Sequence, residues 1–288
     1  MKQYHGGDWG KPLEVMHSQA AAEAEISKRL AALKDMPARL GRMEIVSIDP
    51  SNASLTTAEA PGQSLESQIL KGNRRLHRGG CTRALLLAGR WQAKLQTLDT
   101  AGFQPVLAET EPFEMLEYCD IRLKTLLELK PAWPSPRDRD RVLVWLGKQM
   151  QASSFDQQRQ VWCHGDFGPT NLLWDGFTLT PIDYATCCLN YPLVDVTYLI
   201  HRLEMYGWQF PWRAFPLQAW RAACLRGYGM PDAEQLPIYR ALMVRHMLCR
   251  LQTILYFPPR NRKQHWHNIW VCQRLTARIE QLLTQPCV

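Results

Sequence analysis

The 288-residue sequence lacks several features that would assign a protein to a class at once. No apolar run approaches the ~18 residues that a membrane-spanning helix requires, and the first residues contain no apolar segment of the signal-peptide type. Low-complexity tracts and evident repeats are also missing. The composition, with 46% hydrophobic and 21% charged residues, is typical of a soluble globular protein. The chain is long enough to form one large domain or two lobes.

The nine cysteines match no common metal-binding or disulfide pattern. Their number is odd, no C-x-x-C pair occurs, and Cys187 and Cys188 are adjacent, so the sequence suggests neither a zinc site nor a disulfide framework. We therefore expect mostly buried, reduced thiols and a cytoplasmic location.

Acidic residues are scarce in the last third of the chain. From Val196 onward twelve Lys or Arg residues face four acidic ones, whereas the first 195 residues contain 22 basic and 23 acidic residues. The positive excess behind the net charge of +7 therefore lies in the last third. No recognised nucleic-acid-binding motif accompanies this charge, so we expect no nucleic-acid partner.

The segment from Val161 to Val196 contains the most informative residues. Asp166, Asn171 and Asp183 follow one another at intervals of five and twelve positions, each beside apolar residues that can anchor it. An Asp-Gly turn signal comes after Asn171, and Thr178–Ile182 is predicted to form a short strand that ends at Asp183. A loop, a strand, a turn and a second strand can bring the three side chains to one edge.

Two carboxylates and one amide at these intervals suit phosphoryl transfer from a nucleotide. Asp166 would orient the attacking hydroxyl and accept its proton. Asn171 and Asp183 would hold the Mg²⁺ that neutralises the phosphates. The interval from Asp166 to Asn171 equals the one between the Asp and the Asn of the protein-kinase catalytic loop.

The same segment resembles the aminoglycoside phosphotransferase and choline kinase superfamily. His164-Gly165-Asp166, Asn171 and Ile182-Asp183 match its pattern H-G-D-x-x-x-x-N followed by I-D, and Pro192 and Asp195 match its later P-x-x-D. The resemblance implies an α+β, two-lobed protein-kinase-like fold with a small β-rich amino-terminal lobe and a mainly helical carboxy-terminal lobe. It also implies ATP and Mg²⁺ as cofactors, Asp166 as the catalytic base, and structural support from His164 and Asp195.

In this superfamily a lysine contacts the nucleotide phosphates and pairs with a glutamate on the following helix. The resemblance assigns these roles to Lys2 and to Glu23, which lies on an amphipathic helix predicted over Gln19–Leu33. Lys11 and Glu25 are the alternatives, although Glu25 points to another face of the helix than Glu23. A solvated terminal lysine is an equally good explanation of Lys2.

If Lys2 is the phosphate lysine, the two strands and the phosphate-covering loop that normally precede it are missing from the sequence. We expect either a longer natural protein or a reduced amino-terminal lobe, and a pseudokinase or nucleotide-binding regulator is the alternative to an enzyme. The predicted division is a nucleotide-binding lobe at 1–62 and a helical lobe at 63–288. The second lobe would contain the catalytic loop at 161–196 and substrate-selecting helices at 197–288.

The segment Glu59–Leu65 resembles the hinge of the superfamily, E-x-x-P-G-x-S-L. The resemblance implies that backbone groups of Thr57, Glu59 and Ala60 contact the adenine edge. A plain surface turn is the alternative, because a Pro-Gly pair alone predicts one.

The remaining elements are predicted from turn signals and apolar periodicity. The predicted strands are Arg42–Ser47 and Ala53–Ala58, separated by a turn at Asp49–Asn52, and a basic loop is predicted at Lys71–Arg83. The predicted helices are Ala84–Leu98, Glu114–Leu129, Arg139–Gln151, Val194–Glu204, Leu236–Phe257 and Val271–Leu283. Asp195 is expected to cap the fourth of these helices. A basic, aromatic loop at 258–267 is predicted either to be solvated or to contact phosphate or a lipid headgroup through residues 260–267.

The acceptor is expected to be a neutral or anionic hydroxylated small molecule, such as a sugar, a phosphorylated metabolite or a glycolipid precursor. Polycationic antibiotics and quaternary amines need acidic or aromatic surroundings, and the last third of the chain offers positive charge instead. Ile182-Asp183-Tyr184-Ala185 lacks the acidic residue that often follows the second Asp in the superfamily. Asn171 and Asp183 still suffice for a Mg²⁺ ion that retains several waters.

Overall fold

A computed structural model of the chain describes residues 2–3, 13–49, 54–72, 79–102, 115–129, 132–153 and 160–285. The chain forms two compact units, and each is described by itself. The first comprises Met1–Thr110, Arg159–Leu199 and Pro216–Pro231, and the second comprises Glu111–Gln158, Ile200–Phe215 and Asp232–Val288. The lobe boundary predicted at 62/63 stays a prediction. Within the described ranges, no helix is both long and apolar enough to span a bilayer.

The first unit contains short strands and helices. Its strands are β1 (Lys2–Gln3), β2 (Ile45–Asp49), β3 (Ser54–Thr57), β4 (Gln63–Ser64), β5 (Val161–Cys163), β6 (Leu172–Trp174), β7 (Leu179–Pro181) and β8 (Cys188–Asn190). Its helices are α1 (Leu13–Ala32), α2 (Leu65–Lys71) and α3 (Gly80–Leu95). The second unit contains α4 (Met115–Glu128) and α5 (Pro136–Ala152). Helix α6 (Val194–Gln209) begins in the first unit and ends in the second, and α7 (Leu217–Tyr228) belongs to the first. The second unit ends with a 3₁₀ turn (Ala233–Gln235), α8 (Pro237–Tyr256) and α9 (Arg262–Leu283).

Three small antiparallel sheets organise the first unit, with the strand orders β1-β3-β2, β4-β6-β7 and β5-β8. In the first sheet, β1 pairs with β3 so that Lys2 lies opposite Leu55. Helix α1 contacts β2 and β3, and Ile26 and Leu30 are fully buried one helical turn apart. The amino-terminal strands and this helix therefore share one apolar core.

Strands β6 and β7 form the hairpin that the Asp-Gly turn predicts. The Asp175 carboxylate closes the turn by accepting the N–H groups of two following residues, at 2.7 and 2.6 Å. Beyond the open end of the hairpin, the Ile182 N–H donates to the Asn171 carbonyl at 2.9 Å. The hairpin thus places Asn171 beside the residue that precedes Asp183.

Helices α3 and α7 of the first unit cross with their backbones in close approach. A Cβ atom added to Gly89 would lie 2.1 Å from the Cys224 carbonyl oxygen, and one added to Gly227 would lie 2.0 Å from the Leu86 carbonyl oxygen. Only a residue without a Cβ atom permits such an approach. The crossing fixes the position of α3, which carries Gln92 toward the candidate site.

The described part of the second unit is helical and is built around α8. Eleven residues of this helix between Ile238 and Leu251 are buried, so the helix is enclosed on nearly all sides, as expected of a core helix. Helices α4, α5 and α9 contact it. Helix α5 begins with a capping box in which Ser135 and Asp138 satisfy each other's backbone N–H groups.

The largest difference from the predicted elements concerns α9, which begins at Arg262 instead of Val271. The loop predicted at 258–267 is therefore helical in its second half. The physical reason is Asn261, whose side chain accepts the Gln264 N–H at 2.9 Å and caps the helix.

Other boundaries also differ from the predictions. Helix α1 begins at Leu13, six residues before its predicted start, because no helix-breaking residue separates the two positions. Helix α6 continues to Gln209, five residues beyond its predicted end. Most of the predicted turn at Asp49–Asn52 and residues 73–78 of the loop predicted at Lys71–Arg83 lie outside the described residues, and the end of that loop, from Gly80, is helical.

The helix crossing predicts opposite effects for two Gly-to-Ala substitutions. Gly89→Ala forces α3 and α7 apart, so we expect a loss of about 2–3 kcal/mol in the free energy of unfolding. Gly147→Ala is the matched control, because an added Cβ in α5 meets nothing within 4 Å. That control should gain about 0.5–1 kcal/mol from the helix propensity of alanine. Denaturant unfolding measures both, and equal effects would contradict the close crossing.

Candidate functional site

Asp166 lies in the loop after β5, half-buried, and both of its carboxylate oxygens accept hydrogen bonds. The Asn171 side-chain amide donates to Asp166 Oδ2 and to the Asp166 carbonyl oxygen, at 2.9 Å in each case. The Tyr198 hydroxyl donates to Asp166 Oδ1 at 2.9 Å. The carboxylate is therefore fixed in one orientation by two neighbours.

Asn171 directly precedes β6 and Asp183 lies two residues after β7, so both are at the open end of the hairpin. Because the Asn171 amide nitrogen is used on Asp166, its amide oxygen is directed away from Asp166. Asp183 follows Ile182, whose N–H is bound to the Asn171 carbonyl. Its φ of 66° lies in the left-handed region, which is uncommon outside glycine and is characteristic of functional sites.

His164 is fully buried, and its Nε2 lies 3.0 Å from the Ile182 carbonyl oxygen. Nε2 therefore carries the proton and donates it to the backbone just before Asp183. Burial lowers the pKa of His164 to about 4, although the nearby Asp166 and Asp183 carboxylates act to raise it. The imidazole is therefore neutral, and its N–H group is bound to the main chain. In this state His164 positions the main chain and does not act as a base on a substrate.

Asp195 is buried and holds the loop that precedes Asp166. Its Oδ2 accepts the His164 N–H at 2.5 Å and the Gln92 side-chain amide at 2.6 Å, and its Oδ1 accepts the Gly165 N–H at 3.1 Å. The expectation that Asp195 caps its own helix is wrong in this respect: the residue lies inside the first turn of α6, and its carboxylate binds another segment.

Burial shifts the pKa values of His164 and Asp195, and the two shifts have opposite effects on how stability depends on pH. The pKa of His164 is below its ordinary 6.5, so the stability gained from the neutral form is lost as the pH falls from about 6.5 to about 4. Burial raises the pKa of Asp195 from 3.8 to about 6, against its three hydrogen bonds. Ionisation of Asp195 therefore lowers stability as the pH rises from 3.8 to about 6. This loss offsets part of the gain from His164 and reduces the net dependence of stability on pH.

Gly165 allows the loop to pass close to the segment after Asp183. Its φ is +83°, and an added Cβ would lie 2.1 Å from the Thr186 carbonyl oxygen. The Thr186 hydroxyl also donates to the His164 carbonyl at 3.1 Å. The glycine of the H-G-D motif is thus required both by its backbone conformation and by the close approach.

Three fully buried aromatic residues support the site from the core. The Trp91 ring of α3 stacks on Phe167 at 5.8 Å and on Tyr184 at 5.9 Å, with interplanar angles of 19° and 8°. The Trp91 indole N–H donates to the Gly41 carbonyl at 3.0 Å. The residue after Asp166 and the residue after Asp183 are therefore packed against the same ring.

Glu23 reaches the same region from α1. It is fully buried, and its Oε1 accepts the Tyr184 N–H at 3.0 Å, next to Asp183. Glu25, the alternative from the sequence, instead forms a surface ion pair with Arg29 at 2.7 Å. Of the two glutamates, the structure therefore brings Glu23 to the site.

The segment predicted to be the hinge runs from β3 into β4. The Ala58 N–H donates to the Glu44 carbonyl at 2.9 Å, so this amide is already in use. Gly62 has a φ of +106° and packs on the backbone of Trp174, where an added Cβ would lie 2.6 Å from the carbonyl carbon. The segment therefore joins the hairpin that carries Asn171.

The predicted nucleotide contacts of the amino-terminal part stay predictions. The backbone of Lys2 lies in β1, but its side chain and all of Lys11 fall outside the described residues. Thr57 is the last residue of β3. Glu59 is exposed and Ala60 is half-buried in the segment that follows.

Tyr198 is the site residue that the sequence analysis missed. It follows Asp195 by three positions on α6, so both side chains lie on the same face of the helix. Its ring passes 3.6 Å from the position of a Cβ on Gly168, and its hydroxyl reaches Asp166. Helical periodicity counted from Asp195 is the signal that could have found it.

Residues 12–239 match the family described as the phosphotransferase enzyme family, APH. No curated protein sequence matches the chain. A choline/ethanolamine kinase family protein from Mesorhizobium loti has a TM-score of 0.61 at 18% identity, over 94% of this chain and 80% of that chain. A mutant aminoglycoside 2'-phosphotransferase-IIIa bound to GDP has a TM-score of 0.61 at 13% identity, over 95% and 85%. The streptomycin–ATP complex of APH(2")-IIa has a TM-score of 0.57 at 12% identity, over 95% and 84%.

At these identities the structural similarity establishes the fold. It confirms the α+β, protein-kinase-like fold with a small β-rich amino-terminal part and a mainly helical remainder that the sequence predicts. The family match extends over more than half of the chain and includes Glu23, Asp166, Asn171 and Asp183. This chain therefore belongs to the phosphotransferase enzyme family.

Proposed function

We propose that the protein is a kinase that transfers the γ-phosphate of ATP to a hydroxyl group of a small molecule, with Mg²⁺ as its metal cofactor. The arrangement at Asp166 carries this proposal, because its carboxylate is oriented by Asn171 and Tyr198 beside the strand end that bears Asp183. ATP is supported by the nucleotide complex of APH(2")-IIa. The GDP complex of the 2'-phosphotransferase makes GTP the nucleotide to compare with it.

Asp166 would act as the base of the reaction. A carboxylate within hydrogen-bonding distance of the acceptor hydroxyl orients it and accepts its proton as the bond to phosphorus forms. Asn171 and Tyr198 restrict the rotation of this carboxylate, which reduces the reorganisation needed before transfer. Positioning of this kind supplies a large part of catalysis in phosphoryl transfer.

The oxygen donors at the site suit Mg²⁺. Asn171 offers an amide oxygen, because its nitrogen is bound to Asp166, and Asp183 offers a carboxylate. Within the described ranges, no group of three or more His, Cys, Asp or Glu residues could hold a metal ion. Two protein ligands are enough for an ion that takes its remaining ligands from phosphates and waters. When bound, Mg²⁺ would neutralise charge on the phosphates.

The amino-terminal residues would support the nucleotide. Glu23 accepts the Tyr184 N–H beside Asp183, and we assign the predicted Lys2 to it as its lysine partner. Thr57, Glu59 and Ala60 would offer their backbone to the adenine edge.

A neutral or anionic acceptor is supported by the positive charge of the last third of the chain. From Val196 onward only four acidic residues oppose twelve basic ones. This charge disfavours a polycationic acceptor and favours a sugar, a phosphorylated metabolite or a glycolipid precursor.

Asp166→Asn is expected to lower the rate of phosphoryl transfer by about 10²–10⁴-fold, because the amide cannot accept the proton. The affinity for ATP and Mg²⁺, measured by calorimetry, should stay nearly unchanged. The rate is measured as transfer of labelled γ-phosphate to a panel of hydroxyl compounds and to water. Unchanged turnover in a folded variant would end the assignment of Asp166 as the base.

Tyr198→Phe is expected to lower kcat by about tenfold, because it removes one hydrogen bond to a charged group while the ring stays packed against the loop. The KM for ATP should not change, since the hydroxyl acts on the Asp166 carboxylate, which is the proposed base and not a proposed nucleotide contact. Tyr256→Phe removes the hydroxyl of an exposed tyrosine and is the matched control, with no expected effect. Equal kcat values in the two variants would remove Tyr198 from the site.

A further inference from the structure

The turn between α8 and α9 is exposed along its whole length. Every residue from Tyr256 to Trp266, here named the α8–α9 corner, is exposed. Three of them are large aromatic residues with exposed fractions of 63% for Tyr256, 52% for Phe257 and 68% for Trp266. Exposed aromatic residues this close together in one segment are a common mark of an interaction surface.

The corner is also cationic, and no acidic residue balances it locally. Arg260, Arg262 and Lys263 lie inside the corner. The sequence contains no Asp or Glu between Glu234 and Glu280. We therefore expect a partner that carries negative charge and that offers an apolar or interfacial region into which aromatic rings can insert.

Hydrogen bonds and ring contacts give the corner a defined conformation. Asn261 caps α9 by accepting the Gln264 N–H at 2.9 Å, and the Gln264 side chain accepts the Arg260 N–H at 2.8 Å. The rings of Tyr256 and Phe257 meet edge to face at 5.3 Å. The corner is thus organised before it meets a partner, which lowers the entropy lost on binding.

Helix α9 is anchored one turn beyond the corner. The Trp270 indole N–H donates to the Trp208 carbonyl at 2.9 Å, and Arg274 lies over the Trp270 ring at 4.1 Å. Trp266 precedes Trp270 by four residues and lies on the same face of the helix. The position of Trp266 is therefore fixed by the body of the second unit, while its own ring stays exposed.

We propose that the α8–α9 corner docks the protein onto the surface of an anionic lipid bilayer. Tyr256 and Trp266 enter the headgroup region, where aromatic side chains with one apolar and one polar end are favoured, and Phe257 enters beside them with its apolar ring. The three cationic residues of the corner contact lipid phosphates. A bilayer fits better than a nucleic acid, because Phe257 and the two prolines after it offer apolar surface and no hydrogen-bond donor.

Flotation of the full-length protein with vesicles tests this proposal. We expect binding to vesicles that contain phosphatidylglycerol, weaker binding at high salt, and little binding to phosphatidylcholine alone. The double variant Arg262→Glu with Lys263→Glu should bind at least about tenfold more weakly. Acidic residues in the first turn favour a helix, so the double variant keeps α9 intact.

The matched controls separate the corner from general charge and hydrophobicity. Phe257→Ala should weaken vesicle binding several-fold, whereas Phe177→Ala, which removes an aromatic ring of 53% exposure elsewhere, should leave it unchanged. Arg83→Glu reverses an exposed charge on α3 and should also have little effect. The proposal would be overturned if the protein failed to bind anionic vesicles. It would also be overturned if the corner variants bound these vesicles as tightly as the unmodified protein. Tighter binding to a single-stranded oligonucleotide than to the vesicles, lost in the same variants, would assign the surface to nucleic acid instead.

Discussion

The buried carboxylate of Asp195 is the interaction on which the rest of the candidate site depends. It accepts hydrogen bonds from the N–H groups of His164 and Gly165 and from the side-chain amide of Gln92. These bonds connect the start of α6 and the middle of α3 to the loop before Asp166. A buried carboxylate is costly unless donors surround it, and these donors must therefore stay in place. The loop is held by its backbone, which leaves the Asp166 side chain available for chemistry.

One helix performs two tasks at this site. Asp195 fixes the backbone of the loop, and Tyr198, one turn later on α6, fixes the carboxylate of Asp166. Around them, the Trp91 ring packs against the residue after each candidate aspartate, and Glu23 binds the backbone next to Asp183. Any displacement of α6 or α3 would therefore move Asp166, the proposed base, together with Asn171 and Asp183, the proposed metal ligands.

Local signals in the sequence predicted the parts of the site that depend on short-range chemistry. The Asp-Gly turn specified the hairpin, and the intervals from His164 to Asp195 specified the family. Helical periodicity counted from Asp195 places Tyr198 on the same face of α6, but its contact with Asp166 depends on the rotation of α6 relative to the loop, which the periodicity does not specify. One partner of Glu23 is the backbone N–H of Tyr184, and a residue pattern does not reveal a backbone contact of this kind. Helix starts were missed where one side-chain cap decides them, as Asn261 does.

The central claim is that Asn171 and Asp183 hold a divalent ion together with the phosphates of a nucleotide beside Asp166. Anomalous diffraction from crystals grown with Mn²⁺ and a non-hydrolysable ATP analogue tests it most directly. We predict a Mn²⁺ peak bound to the Asp183 carboxylate and the Asn171 amide oxygen, with the terminal phosphate facing Asp166. A peak bound by other residues, or a nucleotide whose phosphates lie away from Asp166, would contradict the claim.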